Sequence, residues 1–191
     1  APFLDVRSAG AVALVSESGE TKTLHGPIHL TARGDGLHLD GRRLAGGQVQ
    51  LRPLRHNLTL LIGKDGGTGA MTPLPISGAV RVLRKGHALS VVNQVDLEEY
   101  VKGVVPSEVS SAWHPEMLKV QAVAARTYAL YNKMLSAARE YDVVATIQDQ
   151  VYRGRVGVDR GVEEAVESTR GIVVTHQKAP IYAAFSSTAA G

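Results

Sequence analysis

The chain has no cysteine among its 191 residues. Disulfides and thiolate-held metal sites are therefore excluded. Aromatic residues make up only 5% of the sequence, and its apolar runs fall far short of the ~20 residues a membrane-spanning helix needs. No charged leader followed by an apolar core opens the sequence, so no uncleaved signal peptide is expected. Ala1-Pro2-Phe3 reads as a processed end or a boundary. No block of five or six like charges occurs, which argues against a nucleic-acid-binding tail.

What remains is the composition of a globular protein, with 44% hydrophobic and 20% charged residues. Glycine is plentiful, at 20 residues, which suits many turns and close packing. The formal charge is +3 and the pI about 9.3. A mildly basic surface favours an anionic partner, or is simply solvated. The length allows one large domain or two small ones.

The first ninety residues read as β structure. Alternating runs at 11–15, 28–31, 37–39, 49–51, 58–62 and 80–83 are separated by Ser18-Gly19, Asp35-Gly36, Asp40-Gly41, Gly46-Gly47 and Lys85-Gly86. Such glycine dipeptides mark tight hairpins, because glycine reaches positive φ without a Cβ clash. A meander or small sandwich is expected, with a loop over 63–75. The helical part opens at Asp96, where Asp96 and Glu99 form a capping-box pattern. Gly103 and Pro106 are expected to stop that first helix. Pro115 opens a long helix whose core stripe reads Met117, Val120, Ala124, Tyr128, Tyr131 and Leu135. Beyond Arg139 an extended run at 141–147, a short helix at 161–169 and a hairpin around Gln177-Lys178 are expected. The fold class is α+β, with a β-rich part at 1–78 and a helix-centred part at 79–191.

One carboxylate stands out. Glu108 follows Val104, Val105, Pro106 and Ser107, precedes Val109, and has Trp113 five residues on. Apolar surroundings disfavour an ionised carboxyl, and an acid protonated near neutrality can donate to a leaving oxygen. An exposed glutamate capping a turn fits the same local composition. Lys119, Arg126 and Lys133 recur every seven residues, on one side of the long helix, as a cationic wall or a solvated face. Gln121, Tyr128 and Asn132 make a second polar line. Ser186, Ser187 and Thr188 could offer hydroxyls to a sugar, or form a turn. A triad of Ser187, His176 and Asp149 can be written, but no G-x-S-x-G elbow supports it. His25 and His29 lack a metal-binding context, and Gly63–Gly69 lacks the P-loop order. No metal or cofactor is expected.

The segments Val-Asn-Gln-Val-Asp-Leu-Glu-Glu-Tyr, Gly-Val-Val-Pro-Ser-Glu-Val and Trp-His-Pro-Glu-Met-Leu-Lys-Val-Gln-Ala-Val-Ala-Ala-Arg-Thr-Tyr-Ala-Leu lie within residues 92–130. Together they resemble the core motif of the SpoIID/LytB family. Asp149–Gly154, Ala165–Gly171 and Ile181–Gly191 resemble its later segments, so the likeness covers roughly 80–191. The resemblance implies a lytic transglycosylase that cleaves peptidoglycan between N-acetylmuramic acid and N-acetylglucosamine and leaves a 1,6-anhydro sugar. It maps the catalytic acid onto Glu108. It implies that Lys119, Gln121, Arg126, Tyr128, Ser186 and Ser187 contact the glycan. The alternative is a non-catalytic wall-binding protein that enhances a cell-wall amidase. Either way, peptidoglycan strands are an expected partner, joined in the second reading by a cell-wall amidase, and no nucleic acid is expected. Location in the bacterial envelope after export is implied. Two departures stand in the terminal loop. Ala190 replaces a usual glycine, and Ala189 stands where some members carry a zinc-binding cysteine. The native protein is expected to continue past Gly191.

Overall fold

The computed structural model describes residues 2–64 and 72–185. It divides into two compact units, Ala1–Val95 and Asp96–Gly191.

The first unit is two antiparallel sheets around one aliphatic core. Its strands are β1 (Pro2–Ser8), β2 (Val12–Ser16), β3 (Thr21–Leu24), β4 (Ile28–Arg33), β5 (Gly36–Leu39), β6 (Arg42–Arg43), β7 (Gln48–Pro53), β8 (Leu58–Lys64), β9 (Leu74–Ile76), β10 (Ala79–Lys85) and β11 (Ala88–Gln94). One sheet runs β6-β5-β4-β1-β8-β9 and the other β11-β10-β7-β2-β3. Alternation decides which side chains go inside, because successive residues of a strand point to opposite faces. Leu4 and Val6 are fully buried with Asp5 between them, and Val80 and Val82 with Arg81 between them. Leu30, Leu37, Leu51 and Leu58 complete the centre of this core. At Gly78 a Cβ would lie 2.2 Å from the Gln94 carbonyl oxygen, and its φ is +82°, so only glycine fits that bend.

The second unit contains α1 (Leu97–Glu108), α2 (Pro115–Leu135), α3 (Arg160–Ser168) and the small hairpin of β12 (Thr175–His176) and β13 (Ala179–Pro180). Asp96 caps α1 by accepting the N–H groups of Glu98 and Glu99. His114 caps α2 through the N–H of Glu116, with Pro115 at the first position. The β12–β13 turn places Gln177 and Lys178 at φ 48° and 67°, as a two-residue hairpin of type I′ requires.

Several expectations need correction. The β10–β11 hairpin packs with the β unit, so the boundary falls at Val95/Asp96 rather than after residue 78. Its alternating valines complete the sandwich core, whereas the sequence reading grouped it with the helical motif. Strands β3, β6, β9 and β11 were not anticipated; each lies at a sheet edge and is paired on one side only, where little hydrophobic alternation is needed. β1 was not anticipated either, although it lies between β4 and β8 and alternates clearly. α1 runs through Gly103 and Pro106 to Glu108, held by the fully buried Val101, Val104 and Val105. Residues 141–147 form no strand. The core stripe of α2 is also displaced. Leu118, Ala122, Ala125 and Ala129 are buried, while Met117, Val120 and Leu135 are 46%, 61% and 62% exposed. Small alanines admit a close neighbour, so they occupy the contact face that larger residues were expected to fill.

Candidate functional site

The helical unit is held together by polar groups at its centre. Arg126 has no exposed surface. Its guanidinium pairs with the Glu98 carboxylate at 2.6 Å and donates to the carbonyls of Ile172 at 3.1 Å and Val166 at 3.2 Å. One arginine thereby ties α2 to α1, α3 and the chain that follows. Burial of a charge is tolerated here because every neighbour is an acceptor in place. Thr127 assists by accepting the N–H of Val174 at 3.0 Å.

A short strap, residues 149–153, crosses α1 and α2. Asp149 accepts the Tyr128 hydroxyl at 2.8 Å and, through its other oxygen, the N–H of Val144 at 2.7 Å. Gln150 is buried. It accepts the Tyr100 hydroxyl at 2.9 Å and donates to the Ala125 carbonyl at 3.2 Å. The N–H of Val151 donates to Oε1 of Glu108 at 3.0 Å. Tyr152 stacks on Tyr100, with centroids 5.1 Å apart. The strap lies so close that a Cβ at Gly103 would meet the Gly154 carbonyl oxygen at 2.4 Å and the Tyr152 ring at 2.5 Å. Three successive strap residues therefore read α1 and α2 through specific hydrogen bonds.

Glu108 is the last residue of α1 and is half-buried. Its Oε1 is engaged by Val151, and its Oε2 has no hydrogen-bond partner among the described residues. Burial raises the Tyr100 hydroxyl pKa above its ordinary value, with the charges of Asp149 and Glu108 contributing after it. Tyr128 is raised too, first by burial and then by its hydrogen bond to Asp149. Both phenols stay protonated at neutral pH and act as donors. Aromatic rings surround Tyr128: Tyr182 at 5.4 Å and Phe185 at 6.5 Å, with Tyr131 5.5 Å from Tyr182.

The expected glycan contacts are distributed unevenly. Arg126 is committed to Glu98 and has no surface to offer a ligand, which corrects its assignment. The cationic wall it was to join does not form, because neighbouring elements cover the middle of α2 and leave its ends exposed. Lys119 pairs with Glu116 at 2.7 Å on the surface. Gln121 is half-buried, and its Nε2 has no hydrogen-bond partner among the described residues. Tyr128 is buried and shares the strap with Glu108. Ser186 and Ser187 lie outside the described residues, as does the serine of the Ser187–His176–Asp149 triad. The sequence offers Gln150 only within the family-like segment, and Asp149 there and in the unsupported triad; their hydrogen bonds to Tyr100 and Tyr128, in the strap that also meets Glu108 through Val151, arise from tertiary structure. Among the described residues no group of three His, Cys, Asp or Glu side chains could hold a metal ion. No helix among them is long and apolar enough to cross a membrane.

The arrangement is that of an α+β protein whose helical unit fixes one carboxylate at a helix end. Residues 85–176 match the family described as SpoIID, Stage II sporulation protein. The Stage II sporulation protein D of Bacillus subtilis is 30% identical over 163 residues, covering 73% of this chain and 47% of that protein. An uncharacterized protein of Brachyspira hyodysenteriae is 39% identical over 115 residues, 60% of this chain and 31% of the relative. The amidase enhancer of Bacillus subtilis is 37% identical over 91 residues, 48% of this chain and 12% of the relative. These matches make the part of the chain around residues 85–176 similar to the SpoIID/LytB family. The chain spans less than half the length of these relatives.

Proposed function

We propose that this chain acts on the bacterial cell wall as a peptidoglycan lytic transglycosylase, with Glu108 as its single acid and base. The observation that carries this reading is the Val151 N–H on Oε1 of Glu108. With Oε1 accepting that N–H, Oε2 is the oxygen assigned to carry and deliver a proton whenever Glu108 acts as an acid. Oε2 is the oxygen without a partner among the described residues.

In the proposed reaction Oε2–H donates its proton to the glycosidic oxygen. The bond from that oxygen to C1 of the muramyl sugar breaks, and C1 gains oxocarbenium character. The sugar's own C6 hydroxyl oxygen then bonds to C1, and its proton passes to Oε2. Atoms and charge balance without water, so a second catalytic carboxylate, which an ordinary glycosidase needs, is not required. The Val151 N–H stabilises the carboxylate formed midway, as a preorganised donor does for developing charge. Lys119, Gln121, Tyr128, Ser186 and Ser187 are the proposed glycan contacts, and the envelope, reached by export, is the proposed location.

The likeness to an amidase enhancer supports a second reading, a wall-binding partner of an amidase without its own chemistry. The two readings part on one experiment. Purified glycan strands are incubated with the full-length protein and with Glu108→Gln, and the products are weighed by mass spectrometry. The transglycosylase reading expects 1,6-anhydro ends from the wild type and at least a hundredfold fewer from a folded Glu108→Gln, in line with loss of general acid catalysis. Intact strands with the wild type, together with faster turnover by an added amidase, would establish the enhancer instead.

A further inference from the structure

The β unit contains an opening that the proposed chemistry does not use. A cavity of about 560 Å³ lies between β2–β3 and the β5–β6 end of the other sheet. Its size falls in the ~300–1,000 Å³ range of ligand sites. Its floor includes Leu14, Leu24 and Leu39, and its rim carries Glu20, Lys22 and Arg42. Lys22 stands opposite Leu14 in the β2–β3 register, and Leu24 opposite Val12. Val12 and Leu14 point into the core, so Lys22 occupies the core-facing row of its sheet. A lysine there means that the two sheets have parted and admitted water. β3 and β6 are the edge strands that flank the opening, each paired on one side.

The rim charges are available. The side chains of Lys22, Arg42 and Glu20 make no hydrogen bond or ion pair among the described residues, although their backbones are paired. Arg43, also on the rim, is held by the Asp35 carbonyl at 2.7 Å, and Asp40 accepts the N–H of His29. The surrounding unit is basic, which the whole-chain charge of +3 conceals. Residues 1–95 hold eleven Lys and Arg against six Asp and Glu, and residues 96–191 hold ten against twelve. The β unit therefore favours an anionic partner.

We propose that this wedge binds a short extended peptide that carries two carboxylates, one ammonium group and methyl side chains, the chemistry of a peptidoglycan stem peptide. Free strand edges suit an extended backbone. Lys22 and Arg42 take the carboxylates, Glu20 takes the ammonium, and the leucine floor takes the methyl groups. The choice of occupant rests on the cell-wall reading. The wedge would hold the protein on wall that still bears peptides, apart from the glycan cleavage assigned to Glu108.

The test uses the whole chain and an N-acetylated tetrapeptide, L-alanyl-γ-D-glutamyl-L-lysyl-D-alanine, titrated by calorimetry. Saturable binding is expected. The double substitution Lys22→Gln with Arg42→Gln weakens it about tenfold, as the loss of two partly desolvated ion pairs predicts. Glu20→Gln weakens binding of this peptide but not of its ε-acetylated form. The double variant cleaves peptide-free glycan as the wild type does, and Glu108→Gln binds the peptide as the wild type does. No saturable binding overturns the proposal. Binding of the double variant within twofold of wild type also overturns it, leaving Lys22 and Arg42 as charges that guard two strand edges. Loss of glycan cleavage by every form, with the peptide results intact, would count against Glu108 alone.

Discussion

The two units solve the problem of a stable interior in different ways. The β unit buries leucine, isoleucine and valine from two sheets, and its most buried side chains are aliphatic. The helical unit buries Arg126, Glu98, Thr127 and Gln150 beside its valines and alanines. An aliphatic core tolerates substitution if volume and pattern are kept, because its attraction has no direction. A polar core has geometry built into every contact, and losing one partner strands the other. The contrast matches the work proposed for each. A general acid has to be held at a fixed angle, whereas a scaffold for an open wedge does not.

This contrast can be broken by experiment. The largest effect is expected at the buried pair. Glu98→Ala leaves the Arg126 guanidinium buried without its carboxylate, at a cost of about 3–5 kcal/mol. The sole tryptophan, Trp113, lies in the helical unit and reports its unfolding by fluorescence. The denaturation midpoint read at Trp113 should fall sharply. In the β unit, Leu30→Ala removes a fully buried side chain and should cost about 2–5 kcal/mol. Its effect belongs to the β-sheet signal in circular dichroism, with the Trp113 transition little changed. If each substitution shifts both signals equally, the units unfold as one, and the distinction drawn between their cores loses its thermodynamic meaning.

The smallest effect concerns Asp159, the cap of α3. Its carboxyl is held below the usual range, mainly by the N–H of Val162 and then by Ser111. The folded chain thus binds this proton less readily than the unfolded chain. Its contribution is complete above the unfolded pKa, about 4, and is lost as pH falls through the depressed folded value. The site is largely solvated, so the gain is small. Asp159→Asn should flatten the acid limb of a Tm-against-pH curve slightly while leaving the neutral region almost unchanged. An unaltered acid limb would show that α3 draws no support from this charge.

Much of the architecture was legible in residue order. The turn glycines, the start of α2 at Pro115, the Asp96 cap and the Gln177-Lys178 turn each act within a few residues. Local chemistry was enough to place them. The edge strands were missed because a strand paired on one side needs little hydrophobic alternation. The continuation of α1 through Gly103 and Pro106 was missed for a related reason. Breaking signals are local, and the buried valines that overrode them took their value from distant neighbours. Arg126 shows the limit most clearly. Heptad spacing marked it as one cation of a surface row, and only contact with Glu98, twenty-eight residues away in the chain, turned it inward.

Residue order alone determined the alternation that builds the sandwich, the caps and turns that set element boundaries, and the likeness that singled out Glu108. Tertiary structure alone decided which oxygen of Glu108 is held by Val151, which polar residues are buried and which line the wedge between the sheets. The reason is one of range. Backbone preference and alternation are properties of neighbouring residues, whereas burial and hydrogen-bond partnership exist only once segments far apart in the chain have met.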